Sequence, residues 1–80
     1  MSYHIAKIKK GVLGKASKIQ EELDELVDAE NQNNKIMAMV ELSDIYGALR
    51  LVAKEYGVTM DDLQVMADAT ERAFKSGHRK

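Results

Sequence analysis

The chain has 80 residues, a formal net charge of −1 and no cysteine, so it forms one small domain without disulfides. A chain of this length buries only about 60% of the surface that its unfolded form exposes, so we expect a metal ion or self-association to support its core. The near-neutral charge argues against nucleic-acid binding, and no segment has the ~20 apolar residues that span a bilayer. The lack of cysteine excludes thiolate zinc sites and fits a reducing compartment, so we predict a cytoplasmic protein.

The residue pattern predicts an all-α fold of three helices preceded by a short N-terminal arm. Residues 1–14 show no helical period, so we divide the chain into an arm over residues 1–14 and a helical domain over residues 15–80. The first helix is predicted from Lys15 to about Glu30, where good helix formers carry apolar residues at helical spacing. An asparagine-rich turn follows it.

Capping residues delimit the other two helices. The second helix is predicted over residues 35–56, with Asn33 or Asn34 as its N-cap and Gly57 after its end. Thr59 is the expected N-cap of the third helix, which ends before a glycine at position 77. The second helix is apolar around most of its circumference, which predicts burial on nearly all sides.

An α-helix rotates by about 100° per residue, so the direction of each side chain around the first helix can be predicted, and its acidic side chains point in two different directions. Glu22 and Glu25, three residues apart, flank the face that also carries apolar side chains. Three other acids of this helix point away from that face and are expected to be exposed to solvent: Glu21, Asp24 and Asp28. The first pair is therefore the one expected to face another helix.

The second helix places two further acids, Glu41 and Asp44, within its apolar arc. Burying one unpaired charge costs roughly several kcal/mol, and the sequence offers too few inward cations for four inward acids. A hard divalent cation would neutralise them together, and oxygen-only ligation selects Mg²⁺ or Mn²⁺. A ferritin-like di-iron site is disfavoured because neither His4 nor His78 stands in a Glu-x-x-His pair. Both histidines are expected to lie outside the site.

These acids stand in a known arrangement. EELDE at residues 21–25, followed by ELSD at residues 41–44, resembles the EExxE…ExxD signature of MazG-like nucleotide pyrophosphohydrolases. The segments GKASKIQEELDELVDA, NKIMAMVELSDIYGAL and ATERAFKSGHRK are also similar to short MazG-like proteins, so the resemblance extends from about Gly11 to Arg79. This all-α superfamily includes dimeric dUTPases and phosphoribosyl-ATP pyrophosphohydrolases.

The resemblance implies hydrolysis of a (d)NTP between its α and β phosphates, with Mg²⁺ (or Mn²⁺) as cofactor and (d)NMP and pyrophosphate as products. The metal ligands that it implies are the four acids found on the helical faces: Glu22, Glu25, Glu41 and Asp44. Of these, Glu22 is expected to accept a proton from the attacking water. The expected contacts to the triphosphate are basic side chains near the two ends of the helical domain: Lys15, Lys18, Lys75 and Arg79.

The resemblance also implies a homodimer or homotetramer that completes a four-helix-type bundle. An alternative function is a non-catalytic helical oligomer that binds a nucleotide or a protein partner, with the acids forming a metal-stabilised core. A purely structural helical dimer is a third possibility, and in it the buried charges would only lower stability. Turnover that depends on metal separates the first function from the other two.

Overall fold

The computed structural model describes residues 4–77, which form three α-helices: α1 (Ala16–Asn31), α2 (Lys35–Glu55) and α3 (Met60–Lys75). No strand occurs within residues 4–77. The prediction of an all-α, three-helix chain is therefore confirmed, and the ends of α1 and α2 lie within one residue of the predicted ones. None of the helices in this range is long and apolar enough to cross a lipid bilayer.

A tight turn folds α2 back against α1 as a helical hairpin. Asn33 takes a left-handed conformation with φ of 54°, which asparagine tolerates better than most residues. The next residue, Asn34, is the N-cap, and its side-chain oxygen accepts the N–H of Met37 at 3.0 Å. The predicted asparagine cap is thus confirmed, and the turn sets the two acidic helices side by side.

The third helix has a complete N-terminal capping box, but its side chains are not buried against the rest of the described chain. The Thr59 side chain accepts the N–H of Asp62 at 3.0 Å, and the Asp62 carboxylate accepts the N–H of Thr59 at 3.0 Å, which completes a capping box. No residue of α3 is buried, and Val65, Met66 and Phe74 are 67%, 61% and 48% exposed. Local capping therefore defines this helix, and its apolar stripe faces solvent.

The core between α1 and α2 is made of small side chains and acids. Its buried apolar residues are Ala29, Met37, Ala48 and Ala53. Much of the apolar surface of α2 remains open in a single chain, with Ile36 77% and Met39 60% exposed. The expected burial of α2 on nearly all sides is therefore not reached within one chain, because only α1 packs closely against it.

Candidate metal centre

Four carboxylates converge where α1 faces α2. Glu22 and Glu25 of α1 and Glu41 and Asp44 of α2 each offer one oxygen, and these four oxygens lie within 4.8 Å of one another. The i,i+3 spacing places each pair on one helix face, and the hairpin sets the two pairs opposite each other. The structure thus brings together all four acids that the sequence pattern selects.

The four acids differ in burial. Glu22 and Glu41 are only 5% and 3% exposed, whereas Glu25 is half-buried and Asp44 is exposed. The expectation that both acids of α2 lie within a covered arc is therefore wrong for Asp44. Three residues beyond Glu41, the helix has turned Asp44 by about 60° from the position of Glu41, which leaves it at the solvent edge of the contact. The cluster is closed on one side and open at Asp44.

Two oxygens at the closed side have no hydrogen-bond partner within the described part of the chain. They are Glu22 Oε2 and Glu41 Oε2, both removed from solvent. Buried polar atoms almost always have a partner, and leaving one unsatisfied costs about 1–3 kcal/mol, more for a charged group. A hard cation that prefers oxygen ligands fits this set of donors.

The pKa of Glu25 is raised by its position among the other carboxylates. Burial is the largest cause of this increase. A hydrogen bond with Glu41 and the charges of Glu22 and Glu41 raise the pKa of Glu25 further, to about 7. A proton held near neutral pH is the ordinary response of a carboxyl group to like charges at close range. A divalent cation at the cluster would compete with that proton.

Lys18 provides a cation beside the cluster. Its Nζ lies 3.0 Å from Glu22 Oε1 and 3.1 Å from Glu21 Oε2. The hydrogen bond to Glu22 raises the pKa of Lys18 most, and the contacts with Glu21 add to it against the opposing effect of burial. Lys18, which is predicted to contact a triphosphate, thus lies between two acids of its own helix, Glu21 and Glu22.

The other predicted triphosphate contacts lie apart from the acids. Lys15 is exposed at the N-cap of α1. On α3, Lys75 Nζ pairs with Glu71 Oε1 at 3.1 Å, and both side chains are largely exposed. Arg79 lies outside the described residues. The structure therefore brings neither Lys15 nor Lys75 into the carboxylate cluster.

A second set of acids on α1 holds the N-terminal arm. Glu21 and Asp28 are 3% and 6% exposed, so the expectation that they face solvent is wrong. Glu21 Oε1 accepts the N–H of Gly11 at 2.8 Å, and Asp28 accepts the N–H groups of Ile5 and Ala6 at 3.0 and 3.1 Å. The two acids are seven positions apart, about two helical turns, so they lie on the same side of α1, and the arm covers this side.

The arm also brings His4 to the carboxylate cluster, so the prediction that His4 lies outside the site is wrong. His4 Nδ1 lies 2.9 Å from Asp28 Oδ2, and His4 Nε2 lies 3.4 Å from Glu41 Oε1 and 3.7 Å from Glu25 Oε2. Burial lowers the pKa of His4, but the hydrogen bond to Asp28 and the charges of Glu25 and Glu41 outweigh burial and raise it.

His4, Glu25 and Glu41 form a second group of side chains with ligand atoms within 4.8 Å of one another. No spacing rule links residue 4 to residue 41. The only signal in the sequence for the role of His4 is that the inward-facing acids outnumber the inward-facing cations. This imbalance is consistent with one more positive or metal-binding group near the acids. His78, the other histidine, lies outside the described residues.

One comparison with known proteins identifies a family. The family model described as phosphoribosyl-ATP pyrophosphohydrolase matches residues 1–72, a range that includes the arm, the four clustered carboxylates and most of α3. Neither the curated proteins nor the solved structures yield a match. The resemblance to the all-α pyrophosphohydrolase superfamily is confirmed, and the chain belongs to the phosphoribosyl-ATP pyrophosphohydrolase family.

Proposed function

We propose that this protein is a Mg²⁺-dependent pyrophosphohydrolase that cleaves a nucleoside triphosphate between its α and β phosphates. The products are a nucleoside monophosphate and pyrophosphate. The observation that carries the proposal is that two acids of the four-carboxylate cluster, Glu22 and Glu41, each have a buried Oε2 with no hydrogen-bond partner in the described part of the chain. The family supports the class of reaction. The triphosphate group is the part of the substrate that such a centre would recognise.

We assign the metal ligands to the four clustered acids: Glu22, Glu25, Glu41 and Asp44. Carboxylate oxygens favour Mg²⁺, with Mn²⁺ as an alternative, over zinc or copper. When bound, the cation supplies positive charge for the phosphate oxygens and lowers the pKa of water. The exposed side of the cluster at Asp44 is the side from which a triphosphate would approach.

The chain's own residues supply the remaining chemistry. Lys18 Nζ lies 3.0 Å from Glu22 Oε1 and restrains this carboxylate, whose Oε2 has no hydrogen-bond partner within residues 4–77. We propose that Glu22 accepts the proton of the attacking water as a general base. The proposed triphosphate contacts are the basic side chains named from the sequence: Lys15, Lys18, Lys75 and Arg79. The exposed Lys75–Glu71 pair contributes little stability, so Lys75 could exchange Glu71 for a phosphate at small cost.

We further propose that the chain works as a homodimer or homotetramer in the cytoplasm. The exposed apolar residues of α2 and α3 support self-association, because exposed apolar clusters mark surfaces that a partner covers. A second hairpin packed on α2 would complete a four-helix bundle. Sedimentation at micromolar concentration should show a species larger than 9.0 kDa. A purely monomeric species would contradict this part of the proposal.

Pyrophosphate release tests the proposed reaction. The purified protein is incubated with canonical and modified (d)NTPs and with phosphoribosyl-ATP, each with and without Mg²⁺. We expect Mg²⁺-dependent release that disappears in Glu41→Gln, because this variant loses a proposed ligand but keeps the side-chain volume. Release from phosphoribosyl-ATP alone would assign the substrate for which the family is named. Release from no nucleotide, by protein that still binds Mg²⁺, would favour the non-catalytic binding function.

A further inference from the structure

The N-terminal arm adds a nitrogen atom to a centre otherwise made of oxygens. We propose that His4 Nε2 is a metal ligand that acts together with Glu25 and Glu41. This inference rests on the proposed function, since it requires a cation at the carboxylate cluster. It goes beyond that function by assigning a ligand from outside the two acidic helix motifs.

The orientation of the imidazole supports the assignment. Asp28 Oδ2 lies 2.9 Å from His4 Nδ1, and the same carboxylate accepts the N–H groups of Ile5, Ala6 and the Gln32 side chain. These groups only donate, so the Asp28 oxygens act as acceptors and His4 Nδ1 donates the hydrogen bond to them. In metal sites, a carboxylate that binds one ring nitrogen in this way commonly orients the other nitrogen toward the metal.

The position of Nε2 supports it as well. Nε2 points to Glu41 Oε1 and Glu25 Oε2 at 3.4 and 3.7 Å, and these two acids also belong to the four-carboxylate group. Glu41 is 97% buried, and its second oxygen, Oε2, has no hydrogen-bond partner in the described chain. The imidazole therefore adjoins the part of the cluster where a ligand atom lacks a partner.

The arm is held firmly enough to present a ligand. Asp28 binds the backbone N–H groups of Ile5 and Ala6, directly after His4, and Gln32 donates to the same carboxylate at 2.8 Å. Such support fixes the orientation of a ligand before metal binds and raises affinity. An imidazole ligand also favours first-row transition metals relative to Mg²⁺. We therefore expect His4 to strengthen binding of Mn²⁺ more than binding of Mg²⁺.

The rival explanation is that His4 acts only as a positive counter-charge that moves away when a metal binds. Electron spin-echo spectroscopy of bound Mn²⁺ separates the two, because it detects a nitrogen bonded directly to the metal. The chain has two histidines. The experiment uses full-length His78→Gln protein with ¹⁵N-labelled histidine, in which His4 is the only source of histidine ¹⁵N, and the unsubstituted chain serves as control.

A ¹⁵N coupling of directly bound imidazole on Mn²⁺ in the His78→Gln protein is the expected result. His4→Gln should abolish this coupling in the labelled chain and weaken Mn²⁺ binding about 10-fold or more, with a smaller effect on Mg²⁺. Bound Mn²⁺ without ¹⁵N coupling would overturn the assignment of His4 and leave the carboxylate centre intact. Failure of Mn²⁺ and Mg²⁺ to bind at all would instead overturn the proposed function. Because the first spectrum needs no change at His4, poor folding of His4→Gln would not obscure the answer.

Discussion

Two pairs of acids are buried to the same degree on neighbouring faces of the molecule, yet their surroundings differ. Glu21 and Asp28 are 3% and 6% exposed, and Glu22 and Glu41 are 5% and 3% exposed. The first pair receives hydrogen bonds from the backbone of the arm, whereas each acid of the second pair retains one oxygen without a partner among residues 4–77. Burial alone does not separate a structural acid from a candidate ligand. The hydrogen-bond partners of each oxygen do.

The electrostatics follow the same division. The N–H of Gly11 and the charge of Lys18 lower the pKa of Glu21 against the effect of burial. In the carboxylate cluster, burial, a hydrogen bond with Glu41 and like charges raise the pKa of Glu25 to about 7. The acids that hold the arm are therefore stabilised in their charged form, whereas the charged form of Glu25 is disfavoured.

The largest expected effect comes from the same substitution at two adjacent residues. Glu22→Gln should lower pyrophosphate release about 100-fold or more, because it removes a proposed ligand and the proposed general base. Glu21→Gln should keep the activity within about 10-fold, because Glu21 holds the arm and does not line the cluster. Initial rates at saturating Mg²⁺ measure both. Equal losses in the two variants would show that the two pairs do not differ in function.

The pH dependence of stability should also distinguish the acids that hold the arm from the groups at the carboxylate cluster. The folded pKa of Glu25 is raised from 4.5 to about 7, so its favourable contribution is present at low pH and is lost as pH rises through that window. The raised pKa of His4 acts in the same direction at higher pH, whereas the lowered values of Glu21 and Asp28 give stability that is lost in acid. Metal-free protein should thus be most stable at mildly acidic pH.

Chemical denaturation across pH, with a chelator present, measures this profile. Glu25→Gln should flatten the decline between about pH 5 and pH 7, because it removes the group that titrates there. Saturating Mg²⁺ should oppose the decline in the unsubstituted chain, since the cation replaces the proton. A metal-free stability that rises steadily to pH 8 would contradict the described electrostatics of the centre.

Much of the fold follows from local signals in the sequence. The capping residues Asn34 and Thr59 act as predicted, and the glycine at position 57 has the expected positive φ of 74°. The four clustered acids could also be selected, because their directions depend only on helix geometry and i,i+3 spacing. These features are determined within a few residues along the chain.

The role of the arm could not be predicted, because it depends on contacts between distant residues. His4 meets Asp28 across 24 positions, and Gly11 meets Glu21 across ten. A helical wheel of α1 places Glu21 and Asp28 away from the face that carries Glu22 and Glu25, but it cannot show that the arm covers these two acids. The same limit explains Asp44, whose exposure depends on where the contact between α1 and α2 ends.

The most direct test of the account is the stability of the unsubstituted chain, Glu21→Gln and Glu41→Gln at one protein concentration, with a chelator and with saturating Mg²⁺. Without metal, Glu21→Gln should lose about 1 kcal/mol and Glu41→Gln should gain about 1–2 kcal/mol, because one loses a satisfied acceptor and the other a buried carboxylate among like charges. Mg²⁺ at 100 times its dissociation constant should stabilise the unsubstituted chain and Glu21→Gln by about 2.7 kcal/mol and Glu41→Gln far less. If Glu41→Gln is destabilised like Glu21→Gln and Mg²⁺ stabilises none of the three, the buried acids do not form a metal centre.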